Sequence, residues 1–367
     1  MVSLPLNAQV AQPAIRKPIF KIEEDSGGGA GLAGTVTGLL QNSNVDPWQR
    51  SVKSIGFESS LSGTVDHALI ELKEDSESPD VSLGDELKIS LGYDDGEPNL
   101  ILSGVVSQIK KNIVVGSRLV LSNGSHRLSK SRINASYEEQ SAGDIISALA
   151  ADVEVETETV EAGYTYPYYV IDDRKSVYSH MLKIARDNGF ELYFSSDGKL
   201  NLSSLSSAEV KQEFFYGIDI IALNLDEAEP LFKKQRVVGS GATSSEGADS
   251  WPWIVNNKDN ISSEEGSDSA APIRKTEALR SNEAVGTSAQ HEVSRVSANA
   301  IRGDITVQGA PAVVVGHLIE IKETPEGKFD GQYRVKRVLH RYNKQEGFVS
   351  KIHFTSEGGS GGLGNLF

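Results

Sequence analysis

A pattern of glycine, turn and alternating strand occurs twice in this chain, and it narrows the possible folds more than any other feature. In VSLGDELKIS, Gly84 stands three residues before Leu87 and five before Ile89; in VVVGHLIEIK, Gly316 stands three before Ile319 and five before Ile321. A second glycine follows each, Gly104 in SGVVSQI and Gly331 in DGQYRVKRV, and each stretch ends on an alternating strand, RLVLS or KIHFT. Gly-turn-strand patterns also arise by convergence in β proteins; a duplication would give one chain two similar barrels. Around the first copy, Val52 to Ile133 alternates with period two, as in Ile55 and Phe57, in Leu87, Ile89 and Leu91, and in Leu119 and Leu121. The turn signals Asp94-Asp95-Gly96 and Asn123-Gly124 break it into short strands, the signature of a small antiparallel barrel or sandwich.

Between the two copies the period becomes helical. Ala142, Ile145, Ile146 and Leu149 share one face of a helix that Ser141 can cap, with Asp144 near its positive end. A second helix fits Ser176 to Asn188 and stops at Gly189, leading into a hairpin with Phe190, Leu192 and Phe194 on one strand, a turn at Ser196-Asp197-Gly198, and Leu200 and Leu202 returning. A third helix is expected around Thr276 to Ala284, with a less defined stretch from His291 to Ile301. The expected class is α+β, mainly β, with two related small β-barrels flanking an α+β domain. The corresponding divisions are an N-terminal arm (1–50), a first β-barrel (51–135), an α+β domain (136–205), a second β-barrel (206–356) with an insertion at 239–272, and a Gly-rich tail (357–367).

Composition removes several functions. With no cysteine there is no disulfide framework, thiolate metal site or cysteine nucleophile. The balance of 36 Lys and Arg against 51 Asp and Glu, a net charge of −15, is a poor match for stable nucleic-acid binding. No apolar run is long enough for a membrane anchor, and the start lacks the apolar core of a signal peptide. The seven histidines (67, 126, 180, 291, 317, 340 and 353) contain no pair at metal-ligand spacing. His291-Glu292 begins like a zincin helix, but Arg295 stands where the second histidine is required. No phosphate-binding glycine loop occurs, and the Gly27–Gly31 run reads as a hinge. No catalytic residue, cofactor or metal ion is therefore expected. The acid pairs Glu138-Glu139, Asp172-Asp173 and Asp94-Asp95 are of the type a glycosidase uses, but 51 acidic residues produce such pairs by chance. Trp251 and Trp253 form either an aromatic platform or a packing clamp. The basic run Arg334, Lys336, Arg337, Arg341 and Lys344 is either a solvated face or a dock for an acidic neighbour.

Four segments carry a resemblance: LGDELKISLGYDDGEPNLILSGVVSQI, DDRKSVYSHMLKIARDNGFELYFSSDGKLNL, EFFYGIDIIALNLD and ITVQGAPAVVVGHLIEIKETPEGKFDGQYRVKRVLHRY. In order and spacing, from about Val52 to Phe354, they resemble the baseplate hub proteins of contractile phage tails, the late control protein D family, and the hub part of type VI secretion valine-glycine-repeat proteins. The resemblance implies a structural, non-enzymatic homotrimer whose paired barrels form a pseudo-six-fold ring. One face would receive the hexameric inner tube and the other a trimeric spike, with wedge proteins around it. The chain would assemble in a host cytoplasm and end in a virion tail or an extracellular contractile particle. Since the Gly-rich tail follows directly, the spike is expected to be a separate protein. Leu363, Leu366 and Phe367 are candidate contacts to spike or baseplate, and Arg334, Lys336, Arg337, Trp251 and Trp253 to tube or partner. The competing readings are a tail-associated cell-wall hydrolase and a receptor-binding module using the tryptophan loop.

Overall fold

The computed structural model describes residues 16–24, 46–63, 65–73, 78–112, 114, 116–204, 210–240, 261–268 and 270–357; Gly27–Gly31, Trp251, Trp253, Leu363, Leu366 and Phe367 lie outside them. The first unit contains β1 (Pro18–Glu24), a short helix α1 (Pro47–Ser51), β2 (Val52–Ser60), β3 (His67–Leu72), β4 (Glu86–Tyr93), β5 (Asn99–Asn112) and β6 (Gly116–Ser122). These strands pair antiparallel in the order β1-β4-β5-β6-β3-β2. The alternation read in the sequence is what buries Ile55, Ile70, Ile89, Leu91, Leu119 and Leu121 on one face. Within the stretch expected to be an arm, Phe20 and Ile22 of β1 join that core.

The middle unit runs through α2 (Gly124–Lys130), β7 (Ala135–Ser141), α3 (Ala142–Ala151), β8 (Thr157–Val160), β9 (Thr165–Ile171), α4 (Val177–Asn188), β10 (Glu191–Phe194) and β11 (Leu200–Ser203). Ser141 and Asp144 form a reciprocal capping box on α3, and α4 ends on Gly189 at φ +76°. Asn123-Gly124, expected as a turn that ends a strand, does end β6 but starts α2: the Asn123 side chain accepts from the Ser125 N–H, which stabilises a helix start.

The last unit consists of β12 (Val210–Phe215), β13 (Ile220–Glu227), then, after an insertion, β17 (Ile301–Gln308), β18 (Leu318–Lys322), β19 (Gly331–Asn343) and β20 (Gly347–Ser356). The insertion holds β14 (Lys234–Val238), β15 (Ser262–Gly266), β16 (Ile273–Lys275) and α5 (Asn282–Ala298). The insertion expected at 239–272 thus contains a strand, β15, paired with β14. The third helix starts later than expected, because Ser281 provides the cap by accepting from the Ala284 N–H. Val237, Ile261, Leu279, Val285 and Ala289 of the insertion pack into the core of the middle unit and not into the last one.

The last unit repeats the first strand for strand. β18, β19, β20, β17 and β13 neighbour one another as β4, β5, β6, β3 and β2 do. Leu87 faces Gly104 and Ile89 faces Leu102, as Ile319 faces Tyr333 and Ile321 faces Gly331. Gly104 and Gly331 are therefore not counterparts: Gly104 corresponds to Tyr333 and Gly331 to Leu102. The register breaks between Val106 and Gln108 recur between Val335 and Arg337, and those between Val52 and Ser54 recur between Ile220 and Ala222. Gly84 and Gly316 do correspond, at φ +97° and +82°. Gly84 N–H donates to Val106 C=O (3.0 Å) and Val106 N–H to Asp85 C=O (2.9 Å); Gly316 N–H donates to Val335 C=O and Val335 N–H to His317 C=O, both 2.9 Å.

Neither unit is a closed barrel. The edge of β2 is taken by β19, so both units merge into one 12-stranded sheet wrapped around two cores. The outermost partners also differ, since β1 lies antiparallel on β4 but β12 lies parallel on β18.

Gly84→Ala is expected to cost about 1–2 kcal/mol through backbone strain alone, because an added Cβ at Gly84 meets no atom within 4 Å. Gly316→Ala should lose a similar amount by the same strain. Urea unfolding of the two variants, with unchanged m-values, checks this.

Candidate functional site

The joint between β2 and β19 is where the chemistry-bearing residues of the basic run gather. Seven residue pairs, Arg337–Ser60 through Asn343–Ser54, align the two strands antiparallel. Phe57 stacks on the buried His340 ring at 5.9 Å, and His340 shares a hydrogen bond of 2.8 Å with Ser350 Oγ. The tip of the β19–β20 hairpin enters the first core: Tyr342 packs 5.1 Å from Phe20, and Phe348 5.9 Å from Tyr93. Lys344 closes the end of the joint, its N–H donating to Lys53 C=O (3.3 Å) and its Nζ to Gln49 C=O (2.5 Å).

The three candidate partner contacts of the basic run are engaged within the chain. Arg337 Nε donates to Glu58 Oε1 at 2.7 Å across the joint. Lys336 Nζ donates to Glu191 Oε1 at 2.8 Å, tying β19 to the middle unit. Arg334 is buried, donating to Gly316 C=O (3.0 Å) and pairing with Glu357. Burial pushes the Glu191 carboxyl up, but the charge and hydrogen bond of Lys336 outweigh it and leave it below its ordinary value. Arg341 is exposed and lies 3.4 Å from Glu346.

A second polar concentration binds α4 to the insertion. The Asp187 and Glu292 side chains are 0% and 1% exposed, so their charges require compensation. Arg274 pairs with both, Lys183 Nζ reaches Asp187 at 2.9 Å, Arg186 pairs with Glu292, and Arg295 reaches Glu292 at 2.8 Å. Burial would raise the Glu292 carboxyl, but the hydrogen bonds and charges of Arg186 and Arg295 hold it at about 2. Spacing along the sequence does not reveal this cluster: its bonded partners Arg186 and Glu292 stand 106 positions apart.

A third, uncompensated pair of groups lies where the three units meet. Asp66 and His340 line a cavity of about 20 Å³ together with Asn123, Phe194 and Val313. Burial pushes Asp66 up to about 6, although it accepts from the Ser60 N–H and from Asn123, and burial pushes His340 down to about 4.

The acid pairs sit apart from these features. Asp172 is chelated by Arg174 at 3.0 and 2.8 Å, which lowers it to about 2; Asp95 pairs with Arg16 at 3.0 Å; Asp94 accepts from the Lys17 N–H; Glu138 and Glu139 lie on β7. Among the described residues, no group of three or more His, Asp or Glu is placed to hold a metal ion, and no helix is long and apolar enough to cross a membrane.

A family model described as the Alg8 N-terminal domain matches residues 67–344, most of the chain. The chain belongs to the Alg8 N-terminal domain family. No curated protein matches it in sequence. Among solved structures, its fold is similar to the 43 kDa tail protein of prophage MuSo2 from Shewanella oneidensis, at 12% identity and a TM-score of 0.66, covering 94% of this chain and 99% of that one. A tail protein from Neisseria meningitidis MC58 matches at 13% identity and a TM-score of 0.61, covering 84% and 92%. An E. coli component of the type VI secretion system, described as structurally similar to T4 bacteriophage tail proteins, matches at 12% identity and a TM-score of 0.57, covering 91% and 76%. The Alg8 N-terminal domain family member described here thus has the mainly β fold found in phage tail and type VI secretion proteins.

Glu292→Ala should destabilise the protein by about 1–3 kcal/mol, since it removes the shared acceptor of Arg186, Arg274 and Arg295. Because the folded Glu292 titrates below its ordinary value of 4.5, its contribution is present above that pH and is lost as pH falls toward about 2. Chemical denaturation of both proteins at pH 7 and pH 3 checks this: the difference between them should shrink in acid. At the joint, an Arg337→Ala and Glu58→Ala double-mutant cycle should give a coupling of about 0.5–1 kcal/mol, as expected for a half-exposed pair.

Proposed function

We propose that this chain is the structural baseplate hub of a contractile tail or phage-like injection system, of the kind implied by its resemblance to the late control protein D family. It acts as a homotrimer and symmetry adaptor. Three copies of a chain with two equivalent units present six quasi-equivalent positions to a hexameric inner tube, while the three-fold axis matches a trimeric spike. The observation that carries this reading is the strand-for-strand repeat, with matched registers, matched bulges and matched left-handed glycines. The family fold, shared with tail proteins, supports the same conclusion.

In this role the chain performs no chemistry. It nucleates the tube, joins it to a trimeric spike, contacts the surrounding wedge proteins and travels with the tube when the sheath contracts. Its place is the tail of a virion or an extracellular contractile particle, after assembly in the producing cell. The tail residues Leu363, Leu366 and Phe367 are proposed anchors for spike or baseplate, and Trp251 and Trp253 for tube or partner. Arg334, Lys336 and Arg337 have their roles inside the chain.

Purified protein should sediment at three times its 39.5 kDa chain mass, and should prime polymerisation of the cognate tube protein at substoichiometric amounts. It should leave peptidoglycan intact in a clearing assay. A persistent monomer at high concentration, or clearing activity lost on mutating one carboxylate, would overturn the hub assignment.

A further inference from the structure

The internal repeat contains a joint that is used once and left open once. β2 pairs on one side with β3 and on the other with β19. Its counterpart β13 pairs with β17, and no second strand lies along its outer side among the described residues apart from a single bridge at Ile220. The acceptor is likewise repeated. On β19, the half beyond the bulge, from Arg337 to Asn343, receives β2. On β5 the same half, Gln108 to Lys111, pairs with β6 on one side, while the ladder with β4 stops at Val105 on the other, and no other strand lies along that side among the described residues. An unpaired strand edge is a template for another strand.

We propose that β13 of one copy pairs antiparallel with the outer half of β5 of a second copy, in the register that β2 uses on β19. Transferring that register through the matched pairs sets Ala228 opposite Gln108, Glu227 opposite Ile109, Asp226 opposite Lys110, Leu225 opposite Lys111 and Asn224 opposite Asn112. The charges of the two strands are complementary: β13 ends in the exposed acids Asp226, which within the chain also accepts from Arg302 at 3.0 and 2.8 Å, and Glu227, and β5 ends in the exposed cations Lys110 and Lys111. Glu58, the counterpart of Asp226, already makes an ion pair across the internal joint.

Each copy offers one β13 and one β5, so the contact is head-to-tail and closes into a ring when the rotation per joint permits. The inference takes only the number of copies, three, from the hub assignment.

Because the chain has no cysteine, paired thiols report this contact without background. Lys110→Cys/Asp226→Cys protein, mildly oxidised, should give covalent dimers and trimers on a non-reducing denaturing gel. The control Lys21→Cys/Asp226→Cys, with one thiol on the far edge strand β1, should not. Lys110→Glu should weaken assembly about tenfold, and Lys110→Glu/Asp226→Lys should restore it. Circular dichroism confirms that each variant is folded. If the parent protein assembles but the first thiol pair links no faster than the control and charge reversal leaves its mass unchanged, this joint is wrong while the hub assignment stands. If the parent protein stays monomeric, both fall.

Discussion

The antiparallel pairing of β2 with β19 is the constraint on which the rest of the molecule depends. It takes up an edge that would otherwise be available to close the first strand set, and it turns two strand sets into one sheet. It also commits the β19–β20 hairpin to both cores at once: Val335, Val338, Ile352 and Phe354 serve the second core, while Tyr342 and Phe348 at the far end serve the first. Burial of two aromatic rings at that end, at roughly 1.5–3 kcal/mol each, adds a hydrophobic anchor to the backbone hydrogen bonds. The ion pairs of Arg337 and Lys336 then fix orientation more than they supply stability, since a half-exposed pair contributes little net energy.

The insertion between β13 and β17 serves a different end. It interrupts the counterpart of the β2–β3 connection and sends β14, β15, β16 and α5 onto the middle unit. Asp187 and Glu292 hold it there through four cations, an arrangement that tolerates no half measure: a buried carboxylate without its partners is costly, so the cluster enforces one docking position. Chain connectivity and ion pairing together couple the middle unit to the last one. On the proposed contact between copies, one joint geometry serves within the chain and again between chains.

Much of the local structure could be read from residues alone. Ser141 with Asp144, and Ser176 with Gly189, mark helix ends because capping hydrogen bonds and a left-handed stop are short-range chemistry. The hairpin from Leu192 to Leu202 and the Gly84–Gly316 correspondence were legible for the same reason. The equation of Gly104 with Gly331 failed because hairpin lengths differ between the units, and only the hydrogen-bonded register reveals a two-residue slip. Asn123-Gly124 marked the end of β6, but the helix that starts there was not legible because the same dipeptide chemistry serves a turn or a helix cap. The basic run was visible, but its partners Glu58 and Glu191 lie 279 and 145 positions away, beyond any local signal.

By itself, then, the sequence determined the class of the protein: mainly β, cysteine-free, acidic, with a repeated strand unit around a helical middle. These follow from composition and from periods of two and 3.6 residues, which are properties of neighbouring positions. The tertiary structure decided that the units share one open sheet, that the basic strand is spent on internal contacts, that the insertion belongs to the middle unit, and which edges remain unpaired. Strand partnership is set by which backbone edge meets which across long chain separations, and no local pattern encodes that choice.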